Sequence, residues 1–120
     1  EKLDGVELAK ASLDPEQAAG VLDLILREVQ RAYAGGFVHA DMSEYNVAVS
    51  ESGITVFDWP QAVPTDHENA EELLERDVRN LVGYVRRKHP RRIPESVDTA
   101  ALTADIADGT FESVSEYAAA

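Results

Sequence analysis

The sequence predicts an α+β domain, mainly helical, with a small β-hairpin, and three observations carry that expectation. Two long stretches, Asp14 to Ala34 and Asn69 to Lys88, place apolar residues at helical spacing. The stretch between them breaks that period and reads as short extended pieces around Glu51-Ser52-Gly53. At 120 residues the chain is one domain at most, or a piece of one, and its 44% apolar content is enough for a core.

The first helix is expected to start at Asp14 as N-cap, with Pro15 in the first helical position and Gln17 completing a capping box. Leu22, Ile25, Leu26, Val29 and Tyr33 make its apolar side, and Gly35-Gly36 stop it. Phe37-Val38 reads as a short extended piece. Asn46 to Ser50 and Ile54 to Asp58 read as two strands joined by a three-residue loop with glycine last. The second helix, Asn69 to Lys88, has capping-box spacing between Asn69 and Glu72. Leu74, Val78, Leu81, Val82 and Val85 form its stripe. Glu72–Arg76 and Glu75–Arg79 are i,i+4 pairs in the favourable order. Arg86-Arg87-Lys88-His89 complements its C-terminus before Pro90. Beyond Arg91 the signal weakens. A third helix from Glu95 to Asp108, with a thin stripe of Val97, Ala101, Leu102 and Ile106, is closed by Gly109. Phe111, Val114 and Tyr117 suggest a further turn or two, and the last residues to Ala120 are expected to fray.

Charge narrows the function. Asp and Glu number 23 against 11 Lys and Arg, a formal charge of −12. Such a field repels phosphate backbones and anionic lipid, so neither direct nucleic-acid binding nor a membrane partner is expected. No cysteine is present, which excludes a disulfide scaffold and a thiolate metal site. No apolar run approaches a membrane span and no signal peptide opens the chain, so a cytoplasmic location is expected. Only Lys2, Lys10 and Lys88 are lysine. High acid with scarce lysine is the surface expected of a cytosolic protein working in very high salt, where the Debye length shrinks to about 3 Å. An ordinary acidic domain is the alternative.

The loop His39-Ala40-Asp41-Met42-Ser43-Glu44-Tyr45-Asn46 is polar and glycine-free, and fits neither element. Its spacing, His39-x-Asp41-x-x-x-x-Asn46 with Asp58 at the end of the returning strand, matches the kinase catalytic loop H-R-D-x-x-x-x-N except for alanine in the arginine position. One carboxylate must meet a hydroxyl or water, while an amide oxygen and a second carboxylate hold Mg²⁺, a hard cation. A hairpin would bring Asn46 and Asp58 side by side at one end. The alternative is an ordinary loop with turn carboxylates. His39 itself reads as a packed, hydrogen-bonded histidine supporting the loop.

That loop, followed by Phe57-Asp58-Trp59-Pro60-Gln61, resembles the RIO family of atypical serine/threonine protein kinases. The run Leu74-Glu75-Arg76-Asp77-Val78-Arg79-Asn80-Leu81 is similar to that family, as is Gly5-Val6-Glu7-Leu8, which resembles the stretch just after the interlobe hinge. The Asp58-Trp59-Pro60-Gln61 motif is similar to the archaeal second RIO subgroup, and Ser43-Glu44-Tyr45-Asn46 is similar also to the first. The resemblance covers roughly residues 1 to 88.

It implies a protein-kinase-like C-terminal lobe. Asp41 resembles the catalytic aspartate, and Asn46 and Asp58 the metal-binding pair. Glu1, at the end of the hinge, joins Asn46 and Asp58 as a nucleotide-binding position. Asp58 is implied as the acceptor of a transient phosphate. Asp77 resembles the aspartate that anchors the catalytic loop, beside His39; a surface carboxylate facing Arg76 or Arg79 is the alternative. The cofactors implied are ATP and Mg²⁺. The partners implied are the chain's own N-terminal lobe and, through the full-length protein, the maturing small ribosomal subunit. Residues 1–8 read as the hinge end, 9–90 as the lobe core and 91–120 as a helical tail, partly disordered.

Two readings come from the residues themselves. About ten residues separate Asp58 from the second helix, with no Ala-Pro-Glu, so a platform for an extended peptide is missing. That favours ATP hydrolysis or self-phosphorylation. The seven glycines cannot form G-x-G-x-x-G, and no lysine lies in a Val-Ala-Ile-Lys context. The phosphate-covering half is expected upstream, and the chain alone is expected to be inactive. Two other functions stay open: a small-molecule phosphotransferase of the aminoglycoside or choline kinase type, and a non-catalytic helical interaction module.

Overall fold

A computed structural model of the chain describes residues 6–10, 13–50, 53–56 and 62–118. Strand β1 (Val6–Glu7) runs into a 3-10 turn, Leu8–Lys10, and helix α1 spans Pro15–Ala34. Strands β2 (Phe37–Val38), β3 (Val47–Ser50), β4 (Gly53–Val56) and β5 (Val63–Pro64) follow. Helices α2 (Ala70–Lys88) and α3 (Thr99–Asp108) and a closing 3-10 turn, Val114–Tyr117, complete the chain.

Asp14 caps α1, its N–H donating to Gln17 Oε1 at 3.1 Å. Gly35 N–H bonds Arg31 O at 3.0 Å, and Gly36, at φ +105°, turns the chain out of the helix. Leu22, Ile25, Leu26 and Val29 of α1 meet Leu74, Val78, Leu81, Val82 and Val85 of α2, all buried. Each such side chain contributes about 1.5–3 kcal/mol on leaving water. Leu102 and Ile106 of α3 close the core from the other side.

The start of α2 differs from expectation. Asn69 makes no side-chain cap; its N–H instead donates to His67 Nδ1 at 3.0 Å, and Ala70 N–H to His67 O. The Asn69–Glu72 capping box therefore does not form. Neither Glu72–Arg76 nor Glu75–Arg79 closes as an ion pair among the described residues; Arg76 reaches a loop carbonyl instead.

The hairpin is tighter than its sequence suggested. Val47 pairs with Val56 and Ser50 with Gly53, so glycine belongs to β4 and two residues, not three, connect the strands. Strand β3 begins at Val47 rather than Asn46. β1 adds to the outer edge of β3, with Val6 opposite Val49, giving sheet order β1-β3-β4. β2 pairs with β5, Val38 opposite Val63. Neither β1 nor β5 was expected from sequence.

Between α2 and residue 118 the chain carries α3 and the closing 3-10 turn. α3 starts at Thr99, four residues later than Glu95, because Asp98 caps it by accepting Ala101 N–H at 3.0 Å. Ala101 is exposed; Thr103 is buried in its stead, its hydroxyl bonding Thr99 O at 2.7 Å. Gly109, at φ +78°, ends the helix. What holds the following segment is one face of α1. Asp23 accepts Val114 N–H at 2.8 Å, Arg27 donates twice to Glu112 O at 3.0 and 2.8 Å, and Gln30 exchanges two bonds with Phe111. Phe111 stacks on Tyr117, whose hydroxyl donates to Asp105 at 2.6 Å. The terminal pair 119–120 lies outside the described residues.

Candidate active site

The loop from His39 to Asn46 has no regular structure, so its backbone polar groups need partners from elsewhere. Helix α2 supplies them. Asp77 is fully buried and accepts two loop N–H groups, Ala40 at Oδ2 (2.8 Å) and Met42 at Oδ1 (3.0 Å). Its neighbour Arg76 donates to Ala40 O, and Asn80, one turn on, donates to Met42 O at 3.2 Å. The two residues flanking Asp41 are thus each held at both N–H and C=O. Met42 is buried beneath them.

Ala40 has φ +75°, the left-handed region. For alanine this costs about 1–2 kcal/mol, and the bonds to Asp77 and Arg76 hold it there. The turn it makes throws Asp41 outward. Asp41 is exposed, and its carboxylate has no hydrogen bond among the described residues. Its N–H donates to His39 Nδ1 at 3.2 Å, which places a ring proton on Nε2. His39 is almost fully buried. It props the loop from inside.

Asn46 ends the loop, buried, immediately before β3. Ser43 shapes its approach: Ser43 O accepts Asn46 N–H at 3.1 Å, and Ser43 Oγ donates to Asn46 Oδ1 at 2.9 Å. That bond orients the amide, whose oxygen is the hard, neutral donor type a Mg²⁺ ion accepts. A single fixed amide oxygen suits Mg²⁺, which binds through one or two protein oxygens plus phosphate and water. Asp58 and Glu1 lie outside the described residues. The Val47–Val56 pairing sets the register of the strand that leads to Asp58.

Burial pushes the Asp77 carboxyl above the usual carboxylate range; the N–H groups of Met42 and Ala40, then His39 and Arg76, pull the other way. The site also draws in the chain's first described residues. Ala9 N–H donates to Glu44 O at 3.0 Å, and Tyr84 on α2 donates to Leu8 O at 3.2 Å.

Of the expected residues, the structure brings together His39, Asp41, Asn46 and Asp77 around one loop. Arg76, Asn80 and Ser43 were not expected. Their partners are mostly backbone carbonyls, which leave no mark in a sequence. The available signal was spacing: Arg76, Asp77 and Asn80 share one side of α2 next to its apolar stripe.

The RIO domain family matches residues 1–99. The RIO-type serine/threonine-protein kinase Rio2 of Methanocaldococcus jannaschii is 35% identical over 102 residues, covering 81% of this chain and 38% of that protein. A Rio1 kinase of Haloferax volcanii is 41% identical over 75 residues, covering 62% of this chain and 25% of that protein. The Rio2 kinase–ADP/Mg²⁺–phosphoaspartate complex from Chaetomium thermophilum superposes with a TM-score of 0.68 at 26% identity, over 92% of this chain and 34% of that one. The fold is therefore protein-kinase-like, and the chain spans about a third of the length of these relatives. With the match running through the loop, the hairpin and the clamp on α2, the chain belongs to the RIO family.

Proposed function

We propose that this chain carries the phosphoryl-transfer face of a Mg·ATP-dependent RIO-type protein kinase or ATPase. The observation that carries the reading is the display of Asp41: an exposed carboxylate, without a partner among the described residues, between two residues clamped at both backbone groups by α2. Fixed geometry with a free carboxylate is what a general base needs.

In the step we infer, Asp41 takes the proton of the attacking hydroxyl or water, the oxygen bonds the γ-phosphorus, and the bond to ADP oxygen breaks. Asn46 and Asp58 would hold Mg²⁺, which when bound would neutralise charge on the phosphates. Glu1 would be a nucleotide-binding position by the family resemblance alone. The phosphoaspartate of the Chaetomium thermophilum Rio2 complex supports a two-step alternative at Asp58. There a carboxylate oxygen takes the phosphoryl group, ADP leaves, and water later releases phosphate. An N-terminal lobe supplies the phosphate-covering loop and lysine, so this chain alone is inactive. The cytoplasm and the maturing small ribosomal subunit follow from family resemblance; no helix among the described residues is long and apolar enough to cross a membrane.

The test is Mg·ATP hydrolysis and self-phosphorylation by the full-length protein in high KCl, beside Asp41→Asn. Loss of a general base predicts a fall of about a hundredfold or more with unfolding unchanged. Equal turnover by the two proteins would overturn the assignment of Asp41.

A further inference from the structure

The net charge of −12 hides an uneven surface. Arg86, Arg87, Lys88, Arg91 and Arg92, five of the chain's 11 Lys and Arg, fall in one run with His89. No Asp or Glu occurs from residue 78 to residue 94. Lys88, His89, Pro90, Arg91 and Arg92 line an open cleft of about 610 Å³, with Pro15 at the start of α1 as the opposite wall.

Complementing the negative end of α2 explains only part of this run. That effect fades within the last helical turn, which holds Arg86, Arg87 and Lys88. Arg86 has a structural task besides, donating to Pro94 O at 3.3 Å. Arg91 and Arg92 lie beyond the helix, on a turn closed by Arg92 N–H and Ile93 N–H onto His89 O. Ile93 is buried and pins that turn to the core. Arg87, Lys88, Arg91 and Arg92 are exposed. Among the described residues the cleft's cations make no ion pair, and Lys88 instead lies 5.8 Å from the Tyr84 ring centre. Asp14 and Glu16 flank Pro15 without lining the cleft. A chain with two acids per base has thus left one group of cations fixed, exposed and unpaired. Water and counterions screen such a group, and a polyanion that displaced those counterions would pair with it directly.

We propose that this cleft docks the phosphodiester backbone of RNA. An open row of cations suits a ligand with repeating charge better than a lone phosphate, which is held by converging donors in a closed pocket. Arginine dominates, and its planar fork matches phosphate oxygens. A protein repelled overall by anions gains most from a ligand whose binding also releases condensed counterions, which isolated carboxylates on an acidic peptide do not offer. The expectation of no nucleic-acid contact rested on summed charge; its distribution points the other way. The proposal stands apart from the phosphoryl-transfer reading.

The test uses the full-length protein and a short fluorescein-labelled oligouridine across a KCl series. Arg91→Ser/Arg92→Ser is expected to weaken binding at least tenfold. It should reduce the log–log salt slope by about 1.4, from about 0.7 per lost single-strand contact. Arg31→Ser, about 24 Å along α1 from Pro15 at 1.5 Å per residue, should leave the slope unchanged. Photocrosslinks should map to the peptide carrying residues 86–92. Asp41→Asn should bind RNA like the parent, so a failed kinase assignment and a failed RNA assignment read differently. Unchanged affinity and slope in the double variant, with crosslinks elsewhere, would overturn the proposal. So would polyglutamate that competes for the cleft as well as RNA does, which would mark an acidic protein partner.

Discussion

Replacing Asp77 tests whether the loop is held from α2. The carboxylate is fully buried and accepts N–H groups from Ala40 and Met42 at 2.8 and 3.0 Å. Asp77→Ala strands both donors. At about 1–3 kcal/mol for each unsatisfied buried group, the gross loss is roughly 2–6 kcal/mol. Part is recovered, because burial disfavours the charged carboxylate and alanine has none. A net cost of about 3 kcal/mol is expected. Asp77→Asn keeps one acceptor oxygen and also escapes the charge penalty, so its cost should be about 1 kcal/mol. Urea unfolding of the full-length protein would measure both. The sign with pH is fixed as well. A carboxyl raised in the fold binds its proton more tightly there than when unfolded. Parent stability relative to Asp77→Asn is therefore greatest below pH 3.8, the ordinary carboxyl value, and falls as pH rises through the raised value. Equal losses from Ala and Asn, both under about 1 kcal/mol, would refute a two-bond clamp.

Other expectations follow from the same geometry. Ala40→Gly removes the left-handed strain of about 1–2 kcal/mol but adds unfolded-chain entropy of about 0.5–1 kcal/mol, so urea midpoints should stay level or rise slightly. A marked loss would show that Ala40 is not strained. Ser43→Ala removes one restraint on the Asn46 amide, and the Mg²⁺ concentration for half-maximal turnover should rise several-fold with folding unchanged. Asp98→Ala removes the α3 cap at a cost of about 1 kcal/mol, seen as a melting temperature lower by about 4 °C. With 23 acidic residues against 11 basic, the melting temperature should climb between dilute buffer and multimolar KCl; a flat response would remove the high-salt reading.

Much of the scaffold was legible because it is periodic. The apolar stripes of α1 and α2 repeat at helical spacing, and every residue named on the α2 stripe is buried. The loop was legible because its residues are close in sequence: His39, Asp41 and Asn46 need no long-range contact to be recognised. What stayed hidden depends on pairing at a distance. β1 and β5 are two residues each and exist only through β3 and β2. The start of α2 was misread for a local reason. Asn69 has good capping chemistry, but its φ of −103° and ψ of 11° lie outside the extended region a capping residue uses, and His67 satisfies its N–H first.

The two irregular segments that matter here are solved the same way. The loop at 39–46 hangs on Arg76, Asp77 and Asn80, and the tail at 111–114 hangs on Asp23, Arg27 and Gln30. In each case polar residues at helical spacing, next to a buried stripe, satisfy backbone that has no ladder of its own. Charge pairing along the helix, the usual reading of Glu72–Arg76, lost to a backbone carbonyl because an exposed ion pair is worth about 0–1 kcal/mol while an unmet buried group costs about 1–3 kcal/mol. That ordering of energies also says which polar helix residues deserve suspicion in such a chain. They are those one turn apart, flanking an apolar stripe, opposite a segment with no period. The cations at 87–92 fail that test, since Arg91 and Arg92 satisfy no backbone group among the described residues. With no Asp or Glu from residue 78 to residue 94, the charge these side chains leave facing solvent is positive, against the acidic rest of the chain.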